Sequence, residues 1–398
     1  MSCLDNCLVF EFSVVAEEGA ARRGVIRTDH GDLETPAFFA VATRAALKGV
    51  DPDTARALGT GSLICNAYHL AVQPGPEVIE AAGGLHRFMG WPGVLATDSG
   101  GFQVFSLRHG QLSNELQGRR RLPPAEGDPV EAVRVSEEGA DFRSYQDGRR
   151  LRFTPENNMA LQRSLGADLL FCLDECTPFH VPAEYTRAAT ERNARWARRC
   201  LDAFEALDMG RRQALYGIIA GGVYPELRRS SAVAISALPF SGYAIGDCLG
   251  QTKDDCYGIA DLVCRMLPPG KPRHFLGVGE PDDLVEGVLR GIDTFDCAMP
   301  TRIARHGHAL QLGQRRSRLD LTRPDRRRED RPIEAGCPCS ACARFGRAYL
   351  HHLFRAGEML AISLTAEHNL AFTNRLMRRI REAISEGRLS DLRRDVRG

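Results

Sequence analysis

The sequence contains no apolar run that approaches the roughly 18 residues needed to cross a bilayer as a helix. Its first residues, MSCLDNCLVFEF, place an acid where a secretory signal peptide carries positive charge. The pattern therefore predicts neither a membrane-spanning helix nor a secretory leader. We expect a cytoplasmic protein with no membrane partner.

Neither sign of charge is in excess, because 52 Lys and Arg residues against 51 Asp and Glu residues leave a formal net charge of +1. No global positive field draws the chain to nucleic acid, so a polyanion would have to bind at a local basic patch. The 13 cysteines are odd in number and scattered through 398 residues, unlike the disulfide framework of a small secreted domain. We expect most of them to be reduced and up to four to bind a metal.

What the sequence does contain is a series of eight short, mostly apolar runs that are typical of buried parallel strands. The runs span residues 37–43, 63–68, 94–98, 169–174, 215–220, 242–246, 274–279 and 294–299. Several precede amphipathic stretches with a Thr or Asp near the start, which is typical of helices. This alternation predicts an α/β fold, a (β/α)₈ TIM barrel with its functional residues on the loops after the strands. A doubly wound open sheet shows the same alternation and stays an alternative.

Three regions depart from the alternation. The first 35 residues predict two or three antiparallel strands that cover the amino-terminal mouth of the barrel. Residues from about 108 to 153 contain hairpin signals around EEG and QDGR and predict an insertion after the third barrel strand. After residue 310 the chain becomes basic and leads to a cysteine cluster and long helices. We therefore predict a catalytic barrel domain over residues 1–310 and a zinc-binding subdomain with C-terminal helices over residues 311–398.

Cys337, Cys339 and Cys342 form a C-x-C-x-x-C motif whose spacing lets three thiolates converge on one ion. Three sulfurs leave a tetrahedral zinc one ligand short. The candidates for the fourth ligand are His351, His352 and His368. The alternative is that the cysteines are small buried hydrophobes. The motif predicts one zinc ion per chain in a closed, structural site, since zinc activates water only through an open position.

Asp98, Asp174 and Asp296 each stand at the end of a predicted strand, where an unpaired carboxylate is unfavourable unless it is used. One alternative is that each caps the following helix. Two carboxylates that face one sugar can instead divide the work, one attacking the anomeric carbon and the other moving protons. This arrangement predicts glycosidic transfer.

Asp98 is followed by Ser99, Gly100, Gly101 and Phe102. Glycines at this point let the backbone approach a flat ligand closely, and the phenylalanine could stack on that ligand. Ordinary core packing is the alternative for Phe102.

The strings DSGGFQVFSL, DECTP, GVGEPDD and FDCAMPTR, with the cysteine motif and its distal histidine, together resemble the tRNA-guanine transglycosylase family of queuosine biosynthesis. The likeness extends from about residue 24 to residue 389. It implies a pentosyltransferase that exchanges guanine at the wobble position of tRNA with a GUN anticodon for a free 7-deazaguanine base. It also implies a homodimer with one structural zinc ion per chain.

The resemblance implies a role for individual residues. Asp296 matches the nucleophile that attacks ribose C1′, Asp98 matches the general acid and base, and His368 matches the fourth zinc ligand. The implied base-binding residues are Ser99, Gly100, Gly101, Phe102, Asp174, Cys176, Gly221, Gly246, Asp247, Cys248 and Leu276. The implied RNA-binding residues are Gly277, Asp283, Thr301, Arg302 and Arg305.

Two departures from the family pattern affect the substrate. Ala220 replaces a glutamine that donates to the base, and the loop from Gly246 to Gln251 is one residue shorter and lacks a glutamate. These changes favour a larger or less cationic base, so we expect queuine rather than preQ1, which stays possible. Insertion of a deazaguanine into DNA or another RNA position is one alternative function. A noncatalytic tRNA-binding partner subunit is another, although Asp98 and Asp296 argue against it.

Overall fold

The computed structural model describes residues 10–102, 133–144 and 148–397. In chain order the strands are β1 (Glu11–Glu18), β2 (Ala21–Thr28), β3 (Gly31–Thr35), β4 (Ala37–Val41), β5 (Ser62–Asn66), β6 (Val94–Asp98), β7 (Val133–Val135), β8 (Ala140–Arg143), β9 (Arg150–Phe153), β10 (Leu169–Phe171), β11 (Ala214–Ile219), β12 (Gly242–Ile245), β13 (Arg273–Phe275), β14 (Thr294–Cys297), β15 (His308–Leu310) and β16 (Arg318–Asp320).

The helices, again in chain order, are α1 (Pro52–Ala57), α2 (Ala67–Val72), α3 (Pro76–Ala81), α4 (Leu85–Met89), α5 (Pro155–Leu165), α6 (Ala183–Ala206), α7 (Pro225–Ser236), α8 (Lys253–Cys264), α9 (Pro281–Leu289), α10 (Met299–Ala304), α11 (Ser340–Arg344), α12 (Arg347–Ala356), α13 (Met359–Glu386) and α14 (Leu389–Arg397). Short 3₁₀ segments cover Met209–Arg211, Arg315–Ser317 and Pro324–Arg328. None of the described helices has the length and apolar character that a bilayer span requires.

Eight parallel strands close into a barrel in the order β4, β5, β6, β10, β11, β12, β13, β14, and β14 pairs back onto β4. Each strand lies within, or within one residue of, one of the eight predicted apolar runs. The closed ring confirms the predicted TIM barrel and excludes the doubly wound sheet. Since both faces of each strand are covered, almost all of their side chains are buried.

Local sequence signals set where the helices between the strands begin and end. Thr154 opens α5 and Thr252 opens α8, and each makes a reciprocal capping box with the third residue of its helix. Gly166 ends α5 in the left-handed conformation that glycine adopts most readily. These signals fix the lengths of the loops that join strands to helices.

Strands β1, β2 and β3 form the predicted antiparallel sheet at the amino-terminal mouth of the barrel. Arg22 on β2 makes a buried ion pair with Asp293, the residue directly before β14. His30, in the turn between β2 and β3, contacts Asp168, the residue directly before β10. The sheet therefore closes the end of the barrel opposite to the loops after the strands.

The predicted insertion appears as a second antiparallel sheet, β7, β8 and β9, between β6 and α5. The EEG signal lies in the turn from β7 to β8, as predicted. The QDGR signal lies partly outside the described residues, as do residues 103–132 of the insertion.

Beyond β14 the chain adds the β15–β16 hairpin and helices α11 to α14. Helix α13 links this part to the barrel, because Asn374 donates to Leu58 O and Thr60 Oγ1, and Arg381 donates to Pro36 O. The first half of the same helix carries His368 beside the cysteine motif. The domain boundary at residue 310 stays a prediction.

Candidate active site and metal centre

A cavity of about 1320 Å³ opens at the carboxyl ends of the barrel strands. The predicted site residues that line it are Asp98, Ser99, Gly100, Gly101, Phe102, Asp174, Cys176, Gly246, Asp247, Leu276, Gly277, Asp283, Asp296 and Arg302. Among the described residues, the predicted base-binding and RNA-binding ones outside its lining are Gly221, Cys248, Thr301 and Arg305. The three acids that the sequence placed at strand ends thus share one cavity.

Asp98 ends β6 and accepts three hydrogen bonds. The donors are Asn66 Nδ2 at 2.6 Å, the Gly100 backbone N–H at 3.0 Å and the Ala67 backbone N–H at 3.2 Å. Burial raises the pKa of Asp98 to about 7, the Asn66 amide opposes this rise, and the Asp296 carboxylate adds to it. A carboxyl group with a pKa near 7 can both give and take a proton at neutral pH.

The glycines after Asp98 have little room for any side chain. Gly100 has φ 76°, and a Cβ there would lie 2.6 Å from Tyr68 Cβ. A Cβ on Gly101 would lie 2.3 Å from the carbonyl oxygen of Asp174. The turn therefore brings β6 and β10 close together. It also carries Phe102, whose side chain is 37% exposed, to the cavity.

Asp296 lies on β14, and both hydrogen-bond donors described for its carboxylate contact the same oxygen. Oδ1 accepts from His274 Nε2 at 3.0 Å and from the Gly277 backbone N–H at 3.1 Å. Asp296 is less buried than Asp174 deeper in the cavity. Its other oxygen has no hydrogen bond within the described parts of the chain.

Asp174 follows β10 and is buried beside two weak donors. Ser99 Oγ and Cys176 Sγ each lie 3.4 Å from a carboxylate oxygen. Burial raises the pKa of Asp174 to about 7, Cys176 opposes the rise, and the nearby Asp247 carboxylate adds to it. The two oxygens of Asp174 are thus only weakly satisfied by the protein and can accept from a ligand.

Three of the predicted RNA-binding residues are exposed, namely Gly277, Arg302 and Arg305. Thr301 is buried, and its hydroxyl donates to Ala298 O at 3.4 Å. Asp283 is engaged within the protein, since it accepts from Tyr257 Oη at 2.6 Å and pairs with Lys253 at 2.8 Å.

Cys337, Cys339, Cys342 and His368 come together as the resemblance implied. Their ligand atoms all lie within 4.8 Å of one another, and the three sulfurs lie 3.3–3.6 Å from His368 Nδ1. His368 Nε2 lies 2.8 Å from Leu310 O, so this nitrogen carries the proton, and the Nδ1 lone pair faces the three sulfurs and is available to a metal ion among them. Ligands of a tetrahedral zinc lie about 3.5–3.8 Å apart. The donor set and its spacing fit a metal ion.

His351, one of the two histidines that the sequence left open, bonds elsewhere. Its Nδ1 lies 2.9 Å from Leu321 O, and its side chain is buried. His352 is exposed. Neither belongs to the group of ligand atoms around the three sulfurs.

A second group of ligand-type side chains, His30, His86 and Asp168, lies at the opposite end of the barrel. The two imidazole rings stack with centroids 3.4 Å apart and planes 10° from parallel. Each ring pairs with a different oxygen of Asp168, at 2.6 Å and 3.1 Å. Because lone pairs of parallel rings do not converge on one point, this group is a hydrogen-bonded cluster rather than a metal site.

Comparison with known proteins agrees with this geometry. The family model described as "Queuine tRNA-ribosyltransferase" matches residues 17–397. The chain belongs to this family. A protein of that name from Roseiflexus sp. is 44% identical over 400 residues, covering 98% of this chain and 99% of the relative. Those from Pelotomaculum thermopropionicum and Thermus thermophilus are 45% and 44% identical over 387 residues, covering 97% of this chain and 97% and 93% of the relatives.

In this member of the queuine tRNA-ribosyltransferase family, the structure shows how the loop from Gly246 to Gln251 is held. Asp247, with φ 69°, accepts from the backbone N–H groups of Thr177, Gly221 and Gly222 at 2.6, 3.1 and 2.8 Å. It also accepts from Thr177 Oγ1 at 2.9 Å. The carboxylate therefore ties the loop after β12 to the loops after β10 and β11.

Arg228 on α7 holds the same loops from behind the cavity. Its fully buried guanidinium donates to the carbonyl oxygens of Ile219, Gly222, Gly246 and Cys248, each at 2.8 Å. Sequence reasoning missed Arg228, since an arginine on an amphipathic helix usually faces solvent.

Sequence reasoning also missed His274 beside Asp296. The histidine lies in β13, in a run that the sequence marks only as a buried strand. A histidine inside an apolar strand was a signal that it had a polar partner in the barrel interior.

Proposed function

We propose that the chain exchanges guanine at the wobble position of a tRNA with a GUN anticodon for a free 7-deazaguanine base. The observation that carries this proposal is the pair of carboxylates, Asp98 and Asp296, in one cavity with different partners. One has a pKa near neutrality, and the other has one oxygen without a described donor. Membership of the queuine tRNA-ribosyltransferase family supports the same activity.

In the first displacement Asp296 is the nucleophile. A lone pair of its carboxylate forms a bond to ribose C1′ while the bond from C1′ to guanine N9 breaks. The electron pair of that bond stays on guanine, which takes a proton from Asp98. The product is a covalent ester between the tRNA ribose and Asp296, as in retaining glycosidases.

The second displacement reverses these roles. Asp98, now a carboxylate, takes the proton from N9 of the incoming base, and N9 attacks C1′. The ester bond breaks, and its electron pair returns to Asp296. Two inversions at one carbon give net retention, and the RNA backbone is never cut.

Asp174 is proposed to bind the N1–H and 2-amino groups of either base. Two adjacent donors on a flat ring suit the two oxygens of one carboxylate. The weak hydrogen bonds from Ser99 and Cys176 leave those oxygens available. Phe102 lines the cavity and is proposed to stack on the base.

The covalent step has a direct test on a denaturing gel. Wild-type protein mixed with tRNA should give a protein–RNA band, and Asp296→Asn should abolish the band and lower base exchange by about 10⁴-fold or more. Asp261→Asn, which changes an acid on α8 whose side chain is 45% exposed, is the matched control and should behave as wild type. Binding of tRNA without a covalent band or any exchange in the wild-type protein would instead support a noncatalytic partner.

For the incoming base we favour queuine over preQ1. Ala220 brings no side-chain donor, and Gln251 at the cavity supplies no negative charge for an ammonium group. Competition against labelled guanine, followed by mass analysis of the tRNA, measures this preference. Displacement of guanine by preQ1 but not by queuine would overturn it.

Arg302 and Arg305 are proposed to bind the anticodon arm. Both are exposed on or beside α10, directly after the strand that carries Asp296, and Arg302 lines the cavity. A local basic strip of this kind explains how a chain of net charge +1 binds a polyanion.

The Cys337, Cys339, Cys342 and His368 cluster is proposed to hold one zinc ion. The four protein ligands fill a tetrahedral site, so the ion would crosslink the C-terminal elements and take no part in the base exchange. Arg375 Nη1 lies 2.6 Å from Cys337 Sγ and offsets negative charge of the thiolates.

We further propose a cytoplasmic homodimer. The described surface exposes large apolar side chains on helices α12 and α13, namely Tyr349, Met359 and Leu360. A contact between two chains would remove such side chains from water. Light scattering on the purified protein, with Met359→Glu as the disrupting variant, measures the oligomeric state.

A further inference from the structure

His274 lies inside the barrel next to the proposed nucleophile, and both of its ring nitrogens have a hydrogen-bond partner. Its side chain is 1% exposed and packs against the rings of Phe39 and Phe171. Nδ1 lies 2.9 Å from Thr294 Oγ1, and Nε2 lies 3.0 Å from Asp296 Oδ1. Both nitrogens are therefore used.

The partner at Nε2 defines the direction of that hydrogen bond. A carboxylate can only accept, so the Nε2–H of His274 donates to Asp296, and the Thr294 hydroxyl is the partner of Nδ1. The ring is thus a donor to Asp296 that Thr294 aligns from behind. Thr294 and Asp296 are both on β14, so one strand carries the proposed nucleophile and the group that orients its partner.

The hydrogen bonds make the two oxygens of Asp296 unequal. Oδ1 accepts from His274 and from the Gly277 backbone, while no donor within the described residues bonds Oδ2. Oδ2 is therefore the better placed oxygen for attack on C1′, and Oδ1 remains held by the protein after the ester forms.

We infer that His274 is a positioning residue that orients Asp296 and stabilises its carboxylate when it leaves C1′ in the second displacement. This inference rests on the proposed function. In that step N9 of the incoming base forms a bond to C1′ while the bond from C1′ to Asp296 breaks. The electron pair of the broken bond returns to the carboxylate, and the proton of N9–H moves to Asp98. The negative charge that returns to Asp296 is met by donors already in place.

The stabilisation has opposite effects on the two steps. A hydrogen bond to Oδ1 makes the carboxylate a better leaving group and a slightly weaker nucleophile. Loss of His274 should therefore slow discharge of the covalent intermediate far more than its formation. A merely structural residue would change both steps together.

The experiment measures the two steps separately. Covalent protein–RNA adduct is formed with tRNA, isolated from free guanine, and then discharged by adding guanine. In His274→Phe, discharge should slow by roughly 100-fold, as for loss of one preorganised donor. Formation should change by less than about tenfold, so the adduct accumulates on the denaturing gel.

Three variants keep the test independent of folding. His274→Gln keeps an N–H donor near the position of Nε2 and should stay within about fivefold of wild type in both steps. Thr294→Val removes the donor to Nδ1 and should slow discharge by an intermediate factor. Cys264→Ala shortens a buried side chain on α8 that does not line the cavity. This variant measures the effect of lost core packing alone.

The outcomes separate this inference from the proposed function. Wild-type protein that forms no adduct would contradict the proposed function itself. Wild-type adduct together with normal discharge in His274→Phe would overturn the inference alone. So would equal slowing of both steps in His274→Gln when that variant melts at the wild-type temperature.

Discussion

Two carboxyl groups in the cavity, Asp98 and Asp174, have the same raised pKa of about 7 and yet meet different partners. Asp98 accepts three hydrogen bonds that include two backbone N–H groups, whereas the side-chain donors described near Asp174 are a distant hydroxyl and a thiol. The first environment keeps a proton-transfer group in a fixed position. The second leaves a carboxylate ready for the donors of a base.

The pKa of Asp174 predicts how base binding depends on pH. Its pKa is raised above the ordinary value, so the carboxyl group is protonated below about pH 7 and loses its proton above it. A guanine edge donates two hydrogen bonds and needs the carboxylate. The dissociation constant of guanine should be flat above about pH 7.5 and rise about tenfold per pH unit below about pH 6.5. Equilibrium binding of labelled guanine to the tRNA-free protein measures this curve.

Two variants check the origin of that curve. Asp174→Asn should bind guanine about 100-fold more weakly with no bend near pH 7, because the titrating group is gone. Cys176→Ala removes a donor that lowers the pKa of Asp174, so its bend should move to higher pH. A bend that persists in Asp174→Asn would assign the titration to another group.

A sequence pattern predicts a functional residue when its position follows from the end of a strand. It does not predict a residue whose role depends on the direction of its side chain. Asp98, Asp174 and Asp296 were predictable together because the carboxyl ends of parallel strands meet at one mouth of a barrel. His274 was not, since an apolar strand pattern does not show which residue points inward toward Asp296. The bonds of Asp247 to three separate loops were likewise invisible, because they depend on its left-handed backbone.

At the scale of elements, the loops after β11 and β12 are held by charged groups on both sides. Asp247 collects backbone N–H groups, and Arg228 collects the carbonyl oxygens of Ile219, Gly222, Gly246 and Cys248. The two charges are opposite and both are buried. The loop from Gly246 to Gln251 is thus held as a fixed wall of the cavity.

Replacing Arg228 should loosen this wall. In Arg228→Met four carbonyl oxygens lose their donor. Each hydrogen bond from a charged donor contributes about 1.5–3 kcal/mol, but the variant no longer has to bury a charge, which offsets part of the loss. The free energy of unfolding should therefore fall by about 3 kcal/mol. Urea unfolding measures the stability. Base exchange should show a raised KM for the incoming base with a smaller change in kcat, because Gly246 lines the cavity while the reacting acids stay in place.

Arg228→Lys is the control for charge. Lysine keeps the positive charge but cannot reach four carbonyl oxygens in one plane, so its stability should fall between those of wild type and Arg228→Met. An Arg228→Met variant as stable as wild type, with an unchanged KM, would show that the loops hold their shape without the guanidinium.

At the scale of the whole molecule, the alternation of apolar runs and helices was enough to predict the barrel, because each run is a buried strand. The same pattern could not show how helix α13 joins the parts. Its 28 residues carry His368 at the cysteine cluster and then Asn374 and Arg381 against the barrel. Only the folded chain shows that one helix spans both places.

This helix connects the proposed metal site to the barrel edge. His368 contacts Leu310 O, and its neighbour Asn369 bonds the backbone of Pro300, His308 and Leu310. Pro300 lies in α10, which directly follows the strand of Asp296. Loss of order at the cysteine cluster should therefore also disturb α10, the helix that carries Arg302.

Removal of the metal should destabilise the whole chain without removing the reacting acids. At a thousandfold excess of zinc over its dissociation constant, binding contributes about 4 kcal/mol to folding, so chelation should lower the melting temperature clearly. Cys342→Ala should reproduce that loss and should then be insensitive to the chelator. Residual adduct formation per folded molecule should persist in both cases, with weaker tRNA binding, because Asp98 and Asp296 keep their own partners in the barrel. A chelator that leaves the wild-type melting curve unchanged, on protein shown by metal analysis to have lost its zinc, would contradict a structural role for the cluster.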